Sequence, residues 1–105
     1  MNITTTTKGT MVFLTVVGRF DAFETPAFTT CIDGVMASGV NCLELDLRGV
    51  PFIDSSALAG LVRAAKRCTA AGGSLTLAHV SDPVQIIIEL TRLEVLFMPE
   101  QRLTS

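Results

Sequence analysis

Asp54-Ser55-Ser56 places a carboxylate and two hydroxyls side by side, directly in front of a helical pattern. A helix N-terminus carries unpaired backbone N–H groups and the positive end of the helix dipole, so it suits an anionic group such as phosphate. The same residue types are also the preferred N-caps, because their side-chain oxygens accept bonds from those N–H groups. One cap requires one side chain, so the second serine is surplus to capping. Both readings stand at this level: a plain cap, and a hydroxyl kept for chemistry.

No other residue group competes with this one. His79 is the single histidine and follows Leu75 and Leu77 at strand spacing, which predicts a packed or half-exposed strand residue. A hydrolase built on Ser55 or Ser56 would need a base within hydrogen-bond reach and a group to orient that base. His79 has no evident orienting partner, and the chain contains neither a G-x-S-x-G elbow nor a P-loop. Cys31, Cys42 and Cys68 are odd in number and none forms CxxC. Disulfide frameworks and zinc sites are therefore disfavoured, and small buried apolar side chains are expected. No metal or cofactor is implied.

The elements that must position the Asp-Ser-Ser group follow from periodicity. Ile3–Thr7 and Met11–Val17 read as strands joined by Lys8-Gly9-Thr10, an N-terminal hairpin over residues 3–17. Gly18-Arg19-Phe20-Asp21 breaks the pattern. A helix follows, with Thr25 as its cap, Pro26 in its first turn, and Phe28, Cys31, Ile32, Val35 and Met36 on one face. Ser38-Gly39 ends it. Cys42–Leu47 alternates, with Leu43, Leu45 and Leu47 on one side and Glu44 and Asp46 on the other, so that one sheet face is covered by helices.

The second helix spans about Ser55–Ala71. Leu58, Leu61, Val62 and Ala65 form its apolar stripe, and Arg63, Lys66 and Arg67 its wet side. Gly72-Gly73 stops it, as a left-handed C-terminal cap would. Ser74–Val80 is a strand. Asp82-Pro83 opens a third helix with Val84, Ile87, Ile88 and Thr91 on one face, Leu96–Met98 is a short last strand, and residues 99–105 are a tail. The order β-β-α-β-α-β-α-β predicts an α/β fold: a mixed sheet of about five strands with helices mainly on one face.

Length and composition fit this. The chain has 105 residues, 49% hydrophobic and 17% charged, matching a single compact domain over 1–105. The net charge is −2 and no basic surface is concentrated, which argues against nucleic-acid binding. No apolar run reaches the roughly 18–20 residues that span a bilayer. The start MNITTTTKGT lacks the pattern of a signal peptide, so a cytoplasmic protein with no membrane contact is expected.

The chain resembles the anti-sigma factor antagonists of bacteria, which are single STAS domains. The resemblance is carried by Gly18-Arg19-Phe20-Asp21, by Leu45-Asp46-Leu47-Arg48-Gly49-Val50-Pro51-Phe52-Ile53-Asp54-Ser55-Ser56-Ala57-Leu58, by Gly72-Gly73 and by Asp82-Pro83-Val84. It covers nearly the whole chain, and the central segment is its specific part. It implies that Ser55 is the serine phosphorylated by a partner that is both anti-sigma factor and serine kinase. Asp54 is then the acidic neighbour, Asp21 an aspartate from the loop after the second strand, and Ser56 a structural hydroxyl. Unphosphorylated, such a protein binds the anti-sigma factor and frees the sigma factor. Phosphorylated, it lets go, and a phosphatase resets it.

Three features depart from the family pattern. Ala57 stands where glycine is common, Ile86 places an apolar side chain on the outer face of the third helix, and the short tail leaves little room for a C-terminal helix. The alternative function on the same fold is a non-switching STAS scaffold subunit of a lipid-transport or stress-signalling complex. Loss of Ser55 would have pointed there.

Overall fold

The computed structural model describes residues 1–93. Its order is β1 (Asn2–Lys8), β2 (Met11–Val17), α1 (Thr25–Ala37), β3 (Cys42–Gly49), α2 (Ser55–Ala70), β4 (Ser74–Val80) and α3 (Asp82–Leu90). The expected strand Leu96–Met98, the 99–105 tail and the question of a C-terminal helix lie outside the described residues.

Four strands form one mixed sheet in the order β1-β2-β3-β4. β1 pairs antiparallel with β2, while β2–β3 and β3–β4 are parallel. The two β-α-β units step in the same direction across the sheet. Right-handed crossovers then place α1 and α2 on the same face. The burial pattern agrees. Val12, Leu14 and Val16 of β2 and Leu43, Leu45 and Leu47 of β3 are buried, while the residues between them are half-buried or exposed. Phe28 and Ile32 from α1, Leu61 and Cys68 from α2, and Val84 and Ile88 from α3 complete the same apolar cluster.

β1 contributes little beyond Ile3. Its four threonines are exposed along the sheet edge, and their branched side chains favour an extended backbone without offering an apolar surface to another chain.

Three expectations are corrected. Thr25 does not cap α1; it is the first helical residue, buried, and its hydroxyl donates to the carbonyl of Asp21 at 2.9 Å. Asp21 performs the turn chemistry instead, its Oδ1 accepting the N–H groups of Phe23 and Glu24. Thr91 lies past the end of α3 and is exposed, so the buried side of that helix rests on Val84 and Ile88. His79 is exposed on the solvent side. The β3–β4 register slips by one residue, from Leu45↔Leu77 to Asp46↔His79. That bulge leaves Ala78 unmatched and turns His79 outward beside Asp46. Val80 then faces Leu47 and packs on the core.

The expected end of α2 and the reduced cysteines meet the structure closely. Gly72 adopts φ +87° just after α2. Gly73 is required by contact, since a Cβ there would lie 2.1 Å from the carbonyl oxygen of Asn41. Cys68 is buried, and Cys31 and Cys42 are half-buried.

Candidate functional site

The C-terminal ends of β2 and β3 do not simply diverge into their helices. Beyond the strands, Gly18 N–H donates to the Gly49 carbonyl at 2.9 Å, Phe20 N–H to Phe52 carbonyl at 3.0 Å, and Asp54 N–H to Phe20 carbonyl at 3.3 Å. Phe20 and Ile53 form an isolated parallel bridge. Both side chains are buried, with Phe20 packed against Phe28 at 5.0 Å between ring centres. This stitching carries the loop 18–24 alongside the loop 50–54, at the carboxyl ends of parallel strands, where α/β folds commonly place their sites.

Asp54 joins the two loops directly. Its Oδ1 accepts Ala57 N–H at 2.9 Å, which makes it the N-cap of α2. Its Oδ2 accepts Ala22 N–H at 2.9 Å. The capping requirement is thereby met by Asp54 alone. Ser55 and Ser56 occupy the first two helical positions, both are exposed, and neither hydroxyl makes a side-chain hydrogen bond among the described residues. Ala57, the departure from glycine, is buried, and its methyl group sits in the core.

Asp21 lies in the paired loop. One carboxylate oxygen holds the turn into α1; the other is 3.8 Å from the guanidinium Nε of Arg19. The Arg19 guanidinium in turn sits 4.3 Å from the centre of the Phe52 ring, a cation–π arrangement. The structure therefore brings Asp21, Asp54, Ser55 and Ser56 into one loop cluster. It adds three residues that sequence reasoning passed over: Arg19, Phe23 and Phe52. Phe23 is 92% exposed and Phe52 38%. Arg19 and Phe52 stand inside the motifs that carry the resemblance but were given no role there; the one signal for Phe23 was an aromatic in a loop outside any apolar period.

Elsewhere the chemistry is sparse. His79 lies on β4 opposite Asp46, and no hydrogen bond links it to Ser55 or Ser56 among the described residues. Burial pushes the Cys68 and Cys31 thiols up, which keeps them protonated. Among the described residues no cluster of His, Cys, Asp or Glu could hold a metal ion, and no helix is long and apolar enough to cross a membrane.

This loop pairing, on this sheet order, agrees with the family match: the STAS domain model matches residues 2–104. The chain belongs to the STAS domain family. Solved STAS structures superpose on it closely. A candidate anti-sigma factor antagonist from Thermotoga maritima gives a TM-score of 0.85 at 22% identity, covering 90% of this chain and 82% of that one. The anti-sigma factor antagonist SpoIIAA in its unphosphorylated form gives 0.80 at 16% identity, over 92% of this chain and 86% of its own. The phosphorylated form of SpoIIAA, a Bacillus cell fate determinant, gives 0.74 at 15% identity, over 92% and 89%. At these identities the likeness establishes the STAS fold. No curated protein sequence matches the chain significantly.

Proposed function

We propose that this STAS domain is an anti-sigma factor antagonist switched by phosphorylation of Ser55. Unphosphorylated, it binds an anti-sigma factor that is also a serine kinase, and so releases a sigma factor. Phosphorylated, it dissociates until a phosphatase restores it. It acts by binding and carries out no catalysis of its own.

The observation that carries this reading is the division of labour at the start of α2. Asp54 caps the helix, and Ser55 is left exposed with an uncommitted hydroxyl. A kinase can reach such a hydroxyl without dismantling the helix start. The added group would meet the positive end of a 16-residue helix, so the fold tolerates it. A partner surface fitted to a neutral hydroxyl does not, since phosphate brings about −1.5 to −2 charge. Asp54, the residue immediately before it, brings its own negative charge.

The test is incubation with purified anti-sigma serine kinases of the same organism and Mg-ATP, followed by mapping of phosphate by mass spectrometry. Phosphate is expected on Ser55, lost in Ser55→Ala and largely retained in Ser56→Ala. Phosphate on Ser56 or on the Thr4–Thr7 run would overturn the assignment. With no phosphate anywhere, the non-switching scaffold becomes the better account.

A further inference from the structure

We infer that Phe23 is the anchor by which the Ser55 loop cluster docks its partner, and that the partner is the anti-sigma serine kinase, presenting an uncharged apolar pocket to the phenyl ring. This rests on the partner-switching function proposed above and names the residue that holds the complex together.

Phe23 is the most exposed large apolar side chain among the described residues, at 92%. It does not sit on a loose loop. Its own N–H and that of Glu24 are held by Asp21 Oδ1, at 3.1 and 3.2 Å, and the preceding N–H, of Ala22, is held by Asp54 Oδ2. Two carboxylates thus clamp three successive backbone amides. The backbone under the ring is ordered before any partner arrives, so little conformational entropy remains to be lost at that point on docking. Large aromatic anchors that fill a partner pocket are common interface hot spots, and a rigidly mounted phenyl ring is suited to that role.

The chemistry around it favours an apolar recess over a charged one. Asp54 spends both oxygens on backbone amides, and Asp21 spends one on amides and faces Arg19 with the other. Arg19 covers the Phe52 ring. The charges of the cluster are largely matched among themselves, while Phe23 and part of Phe52 are left facing solvent. The anchor is also coupled to the switch: Asp54, which clamps Ala22, immediately precedes Ser55. A phosphate on Ser55 would have to be desolvated against an apolar pocket closing on Phe23, which no matched charge there would offset.

The experiment is a calorimetric titration of the full chain against the purified anti-sigma serine kinases of the same organism. The proteins compared are the wild type, Phe23→Ala, Phe23→Leu, Ser55→Glu and Leu90→Ala. Leu90 serves as control: it is 78% exposed, but on α3 outside the clamped loop. Phe23→Ala is expected to keep the wild-type urea midpoint and bind at least tenfold more weakly. Phe23→Leu should recover part of the loss, and Leu90→Ala should bind as wild type. If Phe23→Ala binds within twofold of wild type while Ser55→Glu is weakened, the anchor is wrong and the switch stands. An equal loss in Leu90→Ala also overturns the anchor. If no kinase in the panel binds the wild type, both the anchor and the partner-switching function fall.

Discussion

The carboxylate of Asp54 accepts the backbone N–H of Ala22 at 2.9 Å, across 32 residues of sequence. Its other oxygen caps α2 through Ala57. One side chain therefore sets the start of a helix and the position of the neighbouring loop together. Whatever happens at Ser55 is felt next to a residue that serves both.

Asp54→Ala should cost about 1–3 kcal/mol, combining a lost N-cap with a lost hydrogen bond to a charged group. Asp54→Asn keeps one acceptor oxygen and should cost less. Urea unfolding of the two variants checks the order. Equal stability of Asp54→Ala and wild type would mean that the bond to Ala22 N–H carries no weight.

Ser55→Glu should fold as wild type and bind the anti-sigma kinase at least about tenfold more weakly, or about 1.4 kcal/mol. An anion at the first turn of α2 is favourable to the helix, so the loss belongs to the interface. Glutamate carries less charge than phosphoserine, and authentically phosphorylated protein should bind more weakly still. Calorimetry on all three forms decides this, and equal affinities would exclude charge-driven release.

Two glycines should respond in opposite directions to alanine. Gly34 lies inside α1, exposed, with open space where a Cβ would go. Gly34→Ala should stabilise by about 0.5–1 kcal/mol through reduced backbone entropy in the unfolded chain. At Gly73 the new Cβ would collide with the Asn41 carbonyl, and Gly73→Ala should destabilise by about 1–3 kcal/mol. Thermal melts of the pair give the sign of each.

Asp46 should make part of the stability acid-sensitive. A hydrogen bond from the Arg48 guanidinium holds its carboxyl below the ordinary aspartate value, outweighing the opposing effect of partial burial. The folded chain therefore gives up this proton more readily than the unfolded chain. The resulting stability is fully present above the unfolded value, about pH 4, and is lost as pH falls through the lower folded value. The pair faces solvent, so the effect is small. Asp46→Asn, which can still accept the Arg48 backbone N–H, should be less stable than wild type at pH 7, with the gap closing in acid. Urea midpoints between pH 7 and pH 2 test this; a gap independent of pH would assign it to packing.

Much of this molecule was legible in its residues because the relevant physics is local. A β-branched, apolar run marked β2, alternation marked β3, three- and four-residue spacing marked α1 and α2, and Gly72-Gly73 marked the end of α2. Each depends on neighbours a few positions away. The Asp-Ser-Ser group before α2 was legible for the same reason, and the motif around it carried the family. What residues alone left open was which of the three would cap. The structure gives that role to Asp54 and leaves both serines exposed.

Other features came only with the tertiary structure, because they depend on how distant strands pair. The stitching of Phe20 to Phe52 and Ile53 brings Ala22 to Asp54 and turns two loops into one cluster. The bulge at Ala78 turns His79 outward, against a strand period that placed it with Leu75 and Leu77. Thr25 read as a cap by type, yet Asp21 holds the turn and draws Thr25 into the first turn of α1. Phe23 belongs to no periodic pattern and to none of the motifs read from the sequence. Its backbone is held by amides clamped by two carboxylates, one of them 31 positions further on, and periodicity within a segment contains no information about such a bond.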